Sequence, residues 1–435
     1  MNLPLYCCAA AHDVAQTHEI NVQRFLAAGA LALAIVSSPV AFAEEAPLGL
    51  TEAVHIAVTA KDPSLLRFDA RAEALEDRAV ADAQIPDPMI KGTISNLPTD
   101  TFKFDQESMT QAQAGLRQEF PAGRTLAVRG NRGRAEANAE RARKEVALRQ
   151  IERSVRTAWL DLFYWTRAEA LISRSRSAVG EMIDALSASF ATGTLNTQDI
   201  LRAELELSLL DDRLTEARRR ADAARAGLVR YVEPAVSRPL TTVLPVFPAP
   251  SDLTVLEEAL IHHPSVFVED AEIAVANTDI ELAEEAYKPS WALEGGYGAR
   301  GGGRVDFATV GVTLSIPLFT ENRQDRRLSA AVNARGAKKL DRAALLLDLR
   351  RDLDRAYADW RRFGARADLY RDAVIKRANE TAEASVSTYA NGLTDFPELI
   401  RSQLAELDTE LKFVELRVEQ AKAWAVLDYL VGDIQ

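Results

Sequence analysis

The chain has 435 residues, of which 27% are charged, and a formal net charge of −12 at neutral pH. An acidic balance of this size disfavours nucleic acid as a partner, and the length suffices for two ordinary domains. The two cysteines, Cys7 and Cys8, stand so close to the N-terminus that the rest of the chain offers no disulfide, thiolate or zinc-finger chemistry.

Arg24 precedes an apolar run from Phe25 to Val36, and Ala41-Phe42-Ala43 gives a small-x-small cleavage pattern. Residues 1–43 therefore read as a secretory signal peptide cleaved after Ala43, with a true translation start inside the unusually long polar stretch before Arg24. No Cys follows the apolar run, which argues against a lipid anchor, and residues 44–435 keep a net charge of −11. No later segment approaches the ~20 uninterrupted apolar residues of a spanning helix.

From here the chain says the same thing twice. The first repeat, residues 44–232, opens with a short amphipathic helix from Leu50 to Ala60, then Asp62-Pro63, then a helix to about Gln84 that Pro86 and Pro88 end. Alternating segments come next at about 89–96 and 110–118, joined by a polar loop through Asp100 and Asp105. A helical hairpin is expected over about 122–232. Pro234, Pro239, Pro245, Pro248 and Pro250 mark a connector over 233–252. The second repeat, 253–435, has a short helix at Leu253, His263-Pro264, a helix to about Ala286, alternating segments at about 291–299 and 307–316, and a helical hairpin at about 319–431.

The clearest alternation puts Ala308, Val310, Val312, Leu314 and Ile316 on one side against Thr309, Gly311, Thr313 and Ser315 on the other. That is a strand with one apolar face. Each alternating segment is about as long as a tilted strand crossing a bilayer core, yet four such strands cannot close a barrel. Each long helical stretch would run roughly 100 Å at 1.5 Å per residue, too long for one compact globule. Leu346, Leu349, Leu353, Ala356 and Trp360, and in the returning helix Leu404, Leu407, Leu411, Val414, Val418 and Ala421, alternate spacings of three and four. This is coiled-coil seam spacing.

The tips of the hairpins carry the duplication most plainly. Phe190-Ala191-Thr192-Gly193 precedes Asn196 and Asp199, and about 199 residues later Tyr389-Ala390-Asn391-Gly392 precedes Thr394, Asp395, Glu398 and Arg401. Each tip has an aromatic residue, a Gly suited to the left-handed end of a helix, and an N-cap residue with an acidic partner three positions on. The tip carboxylates Asp199 and Glu398 stabilise helix N-termini, and the same two groups could form an acidic constriction that attracts cations.

Several other patterns carry no chemistry. His262-His263 before Pro264 lacks a third ligand and fits a helix end better than a metal site. Gly301-Gly302-Gly303 lacks the Lys-Ser/Thr and the strand-to-helix context of a phosphate loop. The Arg-rich run Arg129 to Arg143 is interleaved with Glu136 and Glu140 and reads as a solvated helix face. No nucleophile, paired-carboxylate or cofactor constellation stands out, so neither an enzyme nor a resident cofactor is expected.

The order of these parts, their duplication and the aromatic-x-x-Gly tips resemble the TolC family of outer-membrane efflux proteins over essentially the whole chain after residue 43. Ile85-Pro86-Asp87-Pro88, Asn96-Leu97-Pro98, Phe104-Asp105-Gln106-Glu107, Met109-Thr110-Gln111 and Phe120-Pro121 are similar to the branch that serves heavy-metal efflux pumps. The resemblance implies a mainly α homotrimer. Each chain would give four strands to a twelve-stranded transmembrane barrel, and the long helices would form a periplasmic coiled-coil tunnel. It further implies a periplasmic adaptor protein and an inner-membrane pump, often of the resistance-nodulation-division type, as partners. Outer-membrane lipid would meet Val310, Val312, Leu314 and Ile316. At the periplasmic gate, Tyr389 matches a family tyrosine that holds the tunnel shut. Thr394 stands where the family has an arginine, and Arg401 where it has an aspartate, so the family's closed-state bonds do not transfer as they stand. Drug and type I secretion ducts of the same family, and a periplasmic coiled-coil adaptor, are the alternatives the sequence leaves open.

Overall fold

The computed structural model describes residues 46–191 and 197–432, with residues 186–191 described as helical backbone only. Residues 1–45, including the expected signal peptide, lie outside the described residues, as do 192–196.

Two short helices, α1 (Leu50–Thr59) and α2 (Pro63–Asp82), lead into β1 (Met89–Ser95) and β2 (Gln111–Phe120). The first long hairpin is α3 (Thr125–Ala191) and α4 (Thr197–Val232). The second repeat then runs through α5 (Leu253–Ala259), α6 (Pro264–Glu285), β3 (Ser290–Arg300), β4 (Phe307–Ser315), α7 (Gln324–Leu369), α8 (Ile375–Ala390) and α9 (Phe396–Val431). α3 has 67 residues, roughly 100 Å of helix, and Gln324 to Ala390 matches it residue for residue. Proline opens both short supporting helices: Asp62 caps α2 and His263 caps α6, each by accepting from a backbone N–H two residues on.

Three apolar clusters run along the helices. One joins α1, α3 and α4 with Val418 and Ala421 of α9, and has Trp159, Leu160 and Val155 fully buried. The second, toward the hairpin tips, joins Leu171, Ile172 and Val179 of α3 to Leu210 and Leu214 of α4 and to Phe396, Leu399, Ile400 and Leu407 of α9. The third packs Leu349, Leu353 and Ala356 of α7 on Leu427 and Leu430 of α9, with Leu256 and Val266 beside them. So α9 carries two apolar rows. The row that the spacing of three and four picks out, Leu404 through Ala421, faces α3 of the other repeat, and a separate row serves its own partner α7.

The second long helix differs from its counterpart in one respect. Tyr370–Val374 winds as a π-helix between α7 and α8, whereas α3 is α-helical throughout. Such a bulge lets one extra residue into the turn and rotates the helix beyond it. No local sequence signal announces it.

The connector is held on both sides. Leu48 bridges Leu240 in parallel, the Trp159 indole N–H donates to the Leu48 carbonyl at 3.2 Å, and the Trp424 indole N–H donates to the Pro248 carbonyl at 3.0 Å.

Candidate functional site

The four strands form one sheet in the order β1-β2-β3-β4, all antiparallel, so the two repeats join at β2 and β3 while β1 and β4 keep free edges. Residues directly opposite one another share a face. The register therefore fixes the two faces without further assumption. Val310, Val312 and Leu314 sit across from Gly295, Leu293 and Trp291, which sit across from Leu116, Gln118 and Phe120. Leu116 in turn faces Ile90, and Ala112 faces Ile94. This surface is almost wholly apolar. The other face carries Lys91, Gln113, Arg117, Glu119, Glu294, Thr309, Thr313 and Ser315.

No part of the described chain covers the apolar face. Ile90 is 85% exposed, Val310 80%, Val312 68% and Leu314 54%, and Ile316, just beyond β4, is 55% exposed. On the polar face Arg117 Nη1 meets Glu294 Oε1 at 2.6 Å. Thr313 Oγ1 lies 3.4 Å from the same oxygen. Phe120 and Trp291 stack at 4.0 Å at the end of the sheet that leads into the long helices.

Beyond the opposite end, the two hairpin loops interlock. Arg304 Nη1 donates to the carbonyls of Asp105 at 3.2 Å and Glu107 at 3.4 Å, and Arg300 Nη1 to that of Ser108 at 3.3 Å. These arginines escape a sequence reading because their partners are nearly 200 residues away. At the junction of sheet and helices, the side chain of Glu285 accepts from the Arg124 backbone N–H at 2.7 Å and from Lys288 at 2.7 Å. The Lys288 ammonium, and next the Arg124 N–H, hold its carboxyl below the usual carboxylate range.

Phe190 falls in the last turn of α3, but its side chain, and Gly193 entirely, lie outside the described residues. The second tip is fully described. Gly392 has φ +68°, its N–H donates to Tyr389 O and that of Leu393 to Thr388 O, both at 2.9 Å, which closes α8 by the paired reverse bonds of a Schellman cap. Asp395 caps α9 by accepting from the Glu398 N–H at 3.1 Å. The Glu398 side chain is paired with Arg401. Thr394 is half-buried and Arg401 exposed. Tyr389 packs edge-on against Phe396 at 6.0 Å. Burial, and next the charge of Asp199 on the first hairpin, push its phenol up. Replacing Asp395 by Ala should cost about 1 kcal/mol of stability, seen as a lower Tm with the sheet's β signal unchanged.

His263 is a helix cap. Its Nδ1 accepts from the Ser265 N–H at 3.1 Å, and its ring meets Tyr429 edge-on at 5.2 Å. Burial, then the neighbouring Arg149 charge, depress its pKa to about 4. A histidine held neutral in the fold keeps its full contribution above the unfolded value near 6.5 and loses it as the pH falls toward 4. Stability should therefore drop by on the order of 1 kcal/mol between pH 7 and 5, and His263→Asn should flatten that slope in thermal melts. Among the described residues, no group of three His, Cys, Asp or Glu side chains could hold a metal ion, and no helix is long and apolar enough to cross a membrane.

A mostly helical chain with paired hairpins of this length and one bare four-stranded sheet has the fold of the TolC-like outer membrane channels. Residues 255–433 match the family model of the outer membrane efflux proteins. A membrane protein of Pseudomonas aeruginosa superposes with a TM-score of 0.75 at 17% identity, covering 88% of this chain and 90% of that one. VceC of Vibrio cholerae gives 0.73 at 15% identity over 88% and 96%, and CusC 0.72 at 13% over 88% and 92%. Nodulation protein T of Rhizobium leguminosarum bv. trifolii is 22% identical over 296 residues, 63% of this chain and 62% of the length of that relative.

Proposed function

We propose that this chain is one of three identical subunits of an outer-membrane exit duct. The duct passively conducts what an inner-membrane pump of the resistance-nodulation-division type expels through a periplasmic adaptor protein. The carrying observation is the bare apolar face of a sheet that also has two free edges. Neither is stable in water, and hydrocarbon tolerates strands only when every edge is paired. Three copies supply twelve strands and close the ring. Lipid then covers Val310, Val312, Leu314 and Ile316, while Arg117, Glu294, Thr309, Thr313 and Ser315 line water. A periplasmic adaptor has no use for such a sheet.

The hairpin tips are the periplasmic end, with Phe190, Gly193, Asp199, Tyr389, Gly392, Thr394, Asp395, Glu398 and Arg401 at the gate, where packed helices shift between discrete arrangements. Heavy-metal cations are the proposed cargo. The acidic net charge of −12 favours cations over anions, and the segments from Ile85 to Pro121 resemble the metal-pump branch. A strain lacking this gene should lose resistance to cobalt, zinc, cadmium or copper more than to dyes. Greater sensitivity to dyes would assign the duct to drug efflux instead.

A further inference from the structure

The sheet differs in the sign of its charge from the chain as a whole. Every charged residue in the four strands lies on the polar face, where Lys91, Arg117 and Arg300 stand against Glu119 and Glu294. That is one positive charge in excess, in a chain whose formal net charge is −12.

The excess comes to rest on Lys91. Arg117 engages both carboxylates, Glu294 at 2.6 Å through Nη1 and Glu119 at 3.3 Å through Nη2. Arg300 is tied to the loops, donating to the Val305 and Ser108 carbonyls, with its guanidinium 4.1 Å from the centre of the Phe307 ring. Lys91 is exposed and has no ion pair among the described residues. It shares a row with Gly115, Gly296 and Thr309, so the residues across the sheet offer it neither a partner nor a screen. Closing the ring adds one new neighbour to β1, the free edge of β4 in the next copy, and β4 contains no charged residue. Asp306, just before β4, is already held by the Tyr297 hydroxyl and the Arg300 backbone N–H.

We propose that Lys91 is a specificity-determining residue of the duct: three copies form a basic ring inside the barrel that draws small anions and holds cations off. This rests on the trimeric reading above and adds a residue and a sign of charge. Rings of lysine or arginine favour anions in pores as rings of carboxylates favour cations. From the loop end inwards, the register puts Arg300 first, then Lys91, then Arg117 with Glu294, then Glu119. A cation entering from outside the cell therefore meets positive charge before any strand carboxylate, whereas an extruded cation meets the carboxylates first and the lysine ring after them.

The chain has no cysteine after Cys8, so Thr93→Cys, combined with Cys7→Ser and Cys8→Ser, places a single thiol on the polar face. Position 93 is two residues from Lys91 on that face, about 7 Å away, inside the screening length of about 10 Å at 0.1 M salt. In isolated outer membranes, the rates of labelling by a sulfonate-bearing and by a trimethylammonium-bearing methanethiosulfonate, each divided by its rate with a free thiol, report the local potential. The anionic reagent should be favoured. Lys91→Gln should lower that preference roughly threefold and Lys91→Glu further, and salt at about 1 M should erase the differences. Lys61→Gln, the same change of charge in the exposed turn between α1 and α2, should leave the preference as it is. An unchanged preference in both Lys91 variants, or an equal drop with Lys61→Gln, overturns the basic ring and leaves the duct standing. Labelling at Ile94→Cys but not at Thr93→Cys would reverse the two faces of the sheet and overturn the duct reading together with this inference.

Discussion

Val312→Arg should remove the protein from the outer membrane fraction and leave its host as sensitive as a deletion strain. Val312 is 68% exposed on the apolar face, directly across from Leu293. A guanidinium near the middle of a lipid-facing strand costs about 2–4 kcal/mol per chain, and a trimer bears that cost three times. The neighbouring Thr313→Arg is the informative control. Thr313 lies on the opposite face, near Glu294, where a cation meets water and a carboxylate, so folding and insertion should survive. If both variants insert equally well, the two faces do not differ in solvent and the assignment of lipid to Val310, Val312, Leu314 and Ile316 fails.

Trp159→Ala should be the most destabilising single change in the helical region. Its indole is fully buried among α1, α3 and α4, stacks on Phe163 at 5.5 Å, and holds the Leu48 carbonyl through its N–H. Truncation of such a side chain costs about 3–5 kcal/mol. Leu48 is also the residue that bridges the connector at Leu240, so the loss should release both the start of the described chain and the linker between the repeats. Trp159→Phe separates the two contributions, because it keeps most of the packing and loses the hydrogen bond, for about 1 kcal/mol. Thermal melts and limited proteolysis near Pro239 measure both effects.

How much of the fold was visible in the sequence depended on how local each signal was. The Gly392 cap and the Asp395 N-cap are written within a few residues of where they act, and a reader of the sequence can find them. β4 declares its faces alone, because Val310, Val312 and Leu314 alternate strictly with Thr309, Gly311 and Thr313. β1 and β2 are harder, since Gly92, Ala112 and Ala114 stand on the apolar face and dilute the pattern; only pairing with β3 makes that face legible. Long-range features left no trace. Nothing near Arg304 points to Asp105, nothing near Glu285 points to Arg124, and the π-helical turn at Tyr370–Val374 has an ordinary composition. The spacing of three and four in α9 falls on residues that pack in one apolar cluster with α3, but periodicity has no means of naming that partner. The first tip, with Gly193, lies outside the described residues.

The most direct test of the duct is the mass and electron-microscopic shape of the full-length protein purified in detergent. Three copies around a single tunnel, with helices spanning roughly 100 Å below a compact detergent-bound ring, is the predicted result. A detergent-independent monomer would contradict it, because the apolar sheet face would then be stable in water and the barrel and the tunnel would both have to be given up.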